Sequence, residues 1–333
     1  MKRSTGQPAN RLTGNSARTR SEKSISLSGQ LTSWPSSQLA IQLSAILAAA
    51  LALATSQEAS AEEVEKRAPA DANGEVEIVN VSGDVHVVGW ERAEVQVKAD
   101  LGAGVERLEF HREGRRTLVK VILPSGRSSG SSDLLVRVPQ GSAVSINTVS
   151  AEQTVEGVRG AQRLQAVSGR IRTEIWGAEF EAKTVSGEIE VVGHGGDGPM
   201  RVTSVSGDVR LLDIGPELDL STVTGDMDVK MSDLTRVRIK TTNGDLELTA
   251  RLTANARIDA EAINGDLRFL LQNPVNAEFD IETFNGDIDN CFGPKPRRTS
   301  EFAPGNELRF SEGKGDGQVR IKTLNGGVEI CKK

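Results

Sequence analysis

Ten short stretches of this chain repeat one another, and their central residue recurs about every twenty positions. They are Val81-Ser82-Gly83, the degraded Val149-Ser150-Ala151, Val167-Ser168-Gly169, Val185-Ser186-Gly187, Val205-Ser206-Gly207, Val223-Thr224-Gly225, Thr242-Asn243-Gly244, Ile263-Asn264-Gly265, Phe284-Asn285-Gly286 and Leu324-Asn325-Gly326. Between 151 and 286 the steps are 18, 18, 20, 18, 19, 21 and 21, and the last step is 40. A fixed period of this size means stacked copies of one supersecondary unit, each burying its apolar face against the next.

With the glycine as position 0, each unit has apolar residues at −7 and −5, small or hydroxyl residues at −3, an apolar residue at −2, and apolar residues again at +2 and usually +4. Leu218, Leu220, Thr222, Val223, Met227 and Val229 fill these places in one unit, while Asp219, Asp226 and Asp228 fill −6, +1 and +3. This alternation on both sides of a bend predicts two half-buried strands per unit, and no helical period survives. The bend is Ser-Gly, Thr-Gly or Asn-Gly, where glycine reaches positive φ and the preceding side chain bonds local backbone. Asn-Gly between strands ordinarily signals a hairpin, yet a meander of hairpins does not require the same residue at the same offset in the next unit. In a solenoid, like positions stack about 4.8 Å apart. The file Ser168, Ser186, Ser206, Thr224, Asn243, Asn264, Asn285 and Asn325 is expected to run along one edge in that order. The expected fold is all-β: a single-stranded right-handed β-solenoid of about 18–21-residue coils with an N-terminal β cap.

Residues 149–333 hold the repeats, with 292–318 as a loop insertion marked by Gly293-Pro294-Lys295-Pro296 and Pro304-Gly305 and containing a hairpin from 308 to 321. Residues 74–148 alternate less regularly and are expected to form a β cap leading into the repeats, since a bare end would be an open edge. Residues 62–73 read as a linker and 1–61 as an export signal with its preceding basic region. There, six basic residues precede an apolar run at 39–54, followed by Ala59-Ser60-Ala61, a small-x-small cleavage pattern. Cleavage after Ala61 is expected, with retention as an anchor the alternative, and the run is shorter than the roughly 20 residues of a membrane span. The protein is therefore expected to be exported, periplasmic or at the cell surface.

Without residues 1–61 the chain keeps 34 basic residues (40 less six) and 44 acidic ones (46 less two), a net charge of −10. That sign does not suit a nucleic acid as partner. The expected partner is an unidentified envelope protein or surface component, with membrane contact only if the N-terminal segment is retained. Tyrosine is absent and only Trp90 and Trp176 lie beyond residue 61 as large flat rings, so glycan binding on aromatic platforms is poorly supported.

Cys291 and Cys331 share the +5 offset of their units, and in an exported chain such a pair reads as a disulfide. Directly stacked coils place the two Cα atoms about 4.8 Å apart, inside the bridgeable window, whereas an intervening coil doubles the distance. The bond therefore requires 292–318 to project from the stack. The +1 position is acidic in six units, Glu188, Asp208, Asp226, Asp245, Asp266 and Asp287. Such neighbours repel by about 1 kcal/mol each in a water-like dielectric. The ladder is either a structural one, each carboxylate accepting backbone N–H bonds at its bend, or a binding face for cations or a basic partner. Arg172, Arg210 and Arg268 at +3 are candidates to neutralise it. His86, His111 and His194 fall in separate units without ligand spacing, so no metal site, cofactor or catalytic residue is expected.

The recurring Val-Ser-Gly-Asp-Val pattern, the Val138-Pro139-Gln140-Gly141 step and Gly89-Trp90 after the first unit resemble the bacterial toast-rack family over roughly residues 74–333. That resemblance implies a β-solenoid exposed in the cell envelope, an adhesin-like role and no catalytic motif. The function expected is a non-enzymatic envelope scaffold or adhesin-like binding domain, and the alternative is a polysaccharide-active lyase or hydrolase on a β-helix. A groove gathering acids and arginines favours the enzyme; flat, evenly charged faces favour the scaffold.

Overall fold

The computed structural model describes residues 62–126, 130–300 and 304–333; the expected export signal and cleavage pattern at 1–61 lie outside the described residues. The described chain is all-β, with its strands joined in one sheet. Each unit supplies one strand before its bend and one after it, as Phe180–Ser186 and Ile189–Gly193 do around Gly187. Both kinds pair in parallel and in register, so that like offsets face each other. Phe180 lies between Gln162 and Met200, and Ile189 between Ile171 and Val209. The sheet is continuous round the bend in Glu75–Trp90 and Ala143–Glu156, and round the opposite corner in Met227–Asn243 and Leu246–Asn264.

The period of two decides what is inside. Leu164, Ala182, Val202 and Leu220 at −5 are buried, as are Ile171, Ile189, Val209 and Met227 at +2, and each large aliphatic side chain contributes about 1.5–3 kcal/mol on burial. The −3 hydroxyls are buried too, and Thr222 Oγ1 donates to Thr241 Oγ1 of the next coil at 3.0 Å. The −2 residues, one step out of phase, point outward. At the bend, Gly225 has φ 130°, its N–H donates to Asn243 O at 3.1 Å, and an added Cβ would run into the carbonyl of Gly207. Only glycine permits that approach.

Coil order departs from chain order at the C-terminal end. Gly317–Asn325 pairs with residues 257–264 on one side and with Ala277–Asn285 on the other. Val328–Lys332 likewise lies between Leu267–Gln272 and Ile288–Asn290. The Gly326 coil therefore sits between the Gly265 and Gly286 coils. The asparagine file follows space: Asn264 Nδ2 donates to Asn243 Oδ1 at 2.7 Å, Asn325 to Asn264 at 2.8 Å and Asn285 to Asn325 at 3.0 Å.

Three expectations about the ends need correction. Residues 292–318 do not simply project: Asn306–Glu312 runs antiparallel along Ala277–Asn285, and Arg297–Arg298 pairs with its far edge. The hairpin expected from 308 to 321 does not close on itself, because its two arms lie on opposite edges of Ala277–Asn285. Phe310 stacks on Phe279 at 4.5 Å there, covering the end of the core. At the other end, the expected linker 62–73 contains the strand Glu62–Pro69, antiparallel to Glu94–Leu101. The Gly83 unit is itself a coil, with Ser82 opposite Ser150. Beyond it Arg116–Ile122 and Ser132–Pro139 extend the two ladders in parallel, and Arg107–Glu113 and Glu94–Leu101 close them antiparallel.

Candidate functional site

The structure links Cys291 to Cys331 by a disulfide, with Cα atoms 4.8 Å apart. It fastens the inserted Gly326 coil to the outer Gly286 coil. The terminal strand is covered on both edges, not left at the end of the stack.

The acidic positions at +1 form a hydrogen-bonded file. Asp208 Oδ1 accepts the N–H of Asp226 at 2.9 Å, Asp226 that of Asp245 at 3.0 Å, Asp245 that of Asp266 at 2.8 Å and Asp266 that of Gly327 at 2.7 Å. Each carboxylate thus satisfies a donor of the next coil and not of its own bend. Glu188, with a longer side chain, takes Arg170 Nε at 3.0 Å. Asp287 is not continuous with the other five, because Gly327 stands between it and Asp266. The +3 arginines do not neutralise the file: Arg172 pairs with Glu190 at 2.9 Å and Arg268 with Glu329 at 3.2 Å, both within the +3 lane. An open depression of about 630 Å³ follows these two lanes. Among the described residues no group of three or more His, Cys, Asp or Glu is placed to hold a metal ion.

A second lane lies at −6, a position expected to be charged but not to alternate in sign. At −6, register pairing runs Arg163, Glu181, Arg201, Asp219, Arg238, Asp259, Arg320, Asp280 and Arg309. The sign alternates at every step. The signal was legible, since −6 alternates along the sequence as well until Asp259 and Asp280 break it. From Glu181 onward this lane borders an open groove of about 1240 Å³. Arg163 reaches Glu181 at 2.8 Å and Arg309 reaches Asp280 at 2.9 Å. Hydrogen bonds from Lys183 and then Arg163 hold the Glu181 carboxyl below its ordinary range. The −4 lane repeats the pattern over Lys240, Glu261, Lys322 and Glu282. Lys322, at 2.8 Å, and then Arg309 lower the pKa of Glu282. The groove gathers acids and arginines, yet distributes them evenly along the stack.

The −2 residues make a third feature. Val149, Val167, Val185, Val205, Val223, Ile263, Leu324 and Phe284 are each 43–49% exposed. With Thr242 they form a stripe of nine positions, about 38 Å long at the coil rise. The histidines stay apart: His86 meets Glu156 at 3.2 Å and His194 stacks on Trp176 at 4.5 Å.

The family model described as "Toastrack DUF4097" matches residues 215–331. The likeness read from the Val-Ser-Gly units is thus shown over that segment. No curated protein matches the chain. Among solved structures, a "putative adhesin" of Bacteroides fragilis is 10% identical, with 82% of this chain and 99% of that chain covered and a TM-score of 0.38. A "putative lipid binding protein" of Parabacteroides distasonis is 8% identical, with 81% and 97% covered and a TM-score of 0.40. A "putative cell adhesion protein" of Clostridium sporogenes is 11% identical, with 82% and 100% covered and a TM-score of 0.19.

Proposed function

We propose, from the toast-rack segment at residues 215–331, that the protein is a non-enzymatic binding scaffold exported to the cell envelope. Its coils wind as a right-handed β-solenoid, the hand that parallel crossover connections take in nearly all sheets. The stripe of exposed −2 residues carries the reading. A row of eight exposed apolar residues broken only at Thr242 marks an interaction site, whereas single exposed apolar residues need no explanation. Export is supported by the disulfide, which persists in oxidising compartments. No helix among the described residues is long and apolar enough to cross a membrane.

Replacing Val185, Val205 and Val223 together by Thr keeps β-propensity and shape while making the stripe polar. Melting is expected to be unchanged, with at least a severalfold loss of co-sedimentation with isolated envelope fractions. Undiminished co-sedimentation contradicts it. The alternative, a polysaccharide-active enzyme, draws on the acids and arginines of the groove. Glu181 is held ionised there, unsuited to donate a proton near neutrality. Depolymerisation of envelope polysaccharides by the purified protein would decide for that alternative.

A further inference from the structure

The 1240 Å³ groove lies away from the apolar stripe, and its charges are more than a device for holding coils together. Arg238 and Arg320, two coils apart, have no hydrogen bond or ion pair among the described residues, and neither has Asp259 between them. Arg257 is also unpaired and lies in register beside Arg236. Like charges directly opposite each other in a sheet destabilise it. Arg236 is paired with Glu217 at 4.0 Å, whereas Arg257 has no counter-ion among the described residues, and a bound anion would supply one.

Spacing narrows the anion. Arg201, Arg238, Arg320 and Arg309 recur at every second position of the lane, about 9.6 Å apart at the coil rise, and of these Arg238 and Arg320 are the two not already turned to Asp219 or to Asp280 and Glu282. A guanidinium fork gives two parallel N–H bonds to one carboxylate. Between the arginines, Asp219 and Asp259 offer only acceptors and suit neutral hydroxyl groups. A polymer charged at every unit meets repulsion at each aspartate. An extended glycan with a carboxylate on every second sugar presents anion and hydroxyls in the same alternation.

We propose that this groove binds an acidic polysaccharide carrying a carboxylate on alternate sugars. The proposal rests on the non-enzymatic reading only in that the polymer is held and not cut. Calorimetric titration of the full chain with hyaluronan oligosaccharides, charged on alternate sugars, tests it against oligogalacturonate, charged on every sugar, neutral dextran and polyphosphate. Hyaluronan is expected to bind roughly tenfold tighter than the other three, and the double variant Arg238→Gln, Arg320→Gln to lose roughly tenfold. Arg257→Gln, which breaks no ion pair, shifts affinity in the same direction, while Arg251→Gln outside the groove leaves it unchanged. Absent hyaluronan binding overturns the proposal. So does equal or tighter binding of another probe, or full affinity in both groove variants. Shortening of bound hyaluronan would support the ligand class and count against the non-enzymatic reading.

Discussion

Along the −6 lane successive charges alternate in sign, whereas along the +1 lane, across the bend, five acidic side chains follow one another from Glu188 to Asp266. Both lanes have the same coil rise, so repulsion between like neighbours is similar, about 1 kcal/mol in a water-like dielectric. The difference lies in what else each carboxylate can do. On the strand face, backbone N–H groups are spent in the ladder, and an acid has only the side chains of adjacent coils as partners. At the bend, N–H groups of the next coil are free, and a carboxylate that accepts one offsets the repulsion. Between these two lanes, like charges follow one another where backbone donors remain and alternate where they do not; Asp228 beside Glu247, Glu329 beside Asp289 and Arg236 beside Arg257 lie outside that contrast.

The inserted Gly326 coil keeps the alternation at −6 and −4, though at +3 it sets Glu329 beside Asp289. Stacked in chain order, Asp259 would meet Asp280 and Glu261 would meet Glu282. The insertion places Arg320 and Lys322 between them, while at +1 it brings the uncharged Gly327.

The disulfide offers the largest lever on this arrangement. The variant Cys291→Ser, Cys331→Ser is expected to lose about 4 kcal/mol by the chain-entropy relation, measured by denaturant unfolding. An unchanged midpoint would mean that charge alternation alone holds the coil. The next largest effect separates the lanes. Arg201→Glu places three acids in succession beside Glu181 and Asp219 and should cost about 1 to 2 kcal/mol. At the bend, Asp226→Ala should cost about 1 kcal/mol by removing the acceptor for Asp245 N–H, while Asp226→Asn, which keeps an acceptor, should be close to neutral. Equal losses for the Asn and Ala variants would show that charge matters in both lanes. With Asp226, Asp245 and Asp266 all changed to Asn, the melting temperature should not respond to added Ca²⁺, as in the parent. The smallest effect is on pH. Glu282 has a depressed pKa, so its contribution is present above the ordinary glutamate value near about 4.3 and is lost as pH falls through the lower folded value. Lys322→Met should make acid destabilisation shallower by less than about 1 kcal/mol, since the pair is partly exposed.

Much of this was legible from period alone. The files at −5 and +2, the glycine bend and the partnership of Cys291 with Cys331 follow from counting, because stacking turns equal offsets into contacts. Position −2 was legible as apolar but not as exposed: Val185 and Val223 resemble core residues in type and differ only in phase from Thr184 and Thr222. Coil order was read as chain order because the 40-residue step hides a crossing over Ala277–Asn285 that no local pattern marks. The adjacency of Asp259 and Asp280 in the repeat was the one clue. Glu62–Pro69 was missed because a single charged edge strand carries little apolar alternation.

Cross-linking decides the order of coils. In a fully folded chain with Cys291 and Cys331 replaced by Ser, cysteines are introduced in pairs at 259 and 320, and separately at 259 and 280. Inserted order puts the first pair about 4.8 Å apart at Cα and the second about twice that, beyond the reach of a disulfide. Oxidation is expected to form a bond between 259 and 320 and none between 259 and 280, read by peptide mass mapping. A bond between 259 and 280 would contradict it.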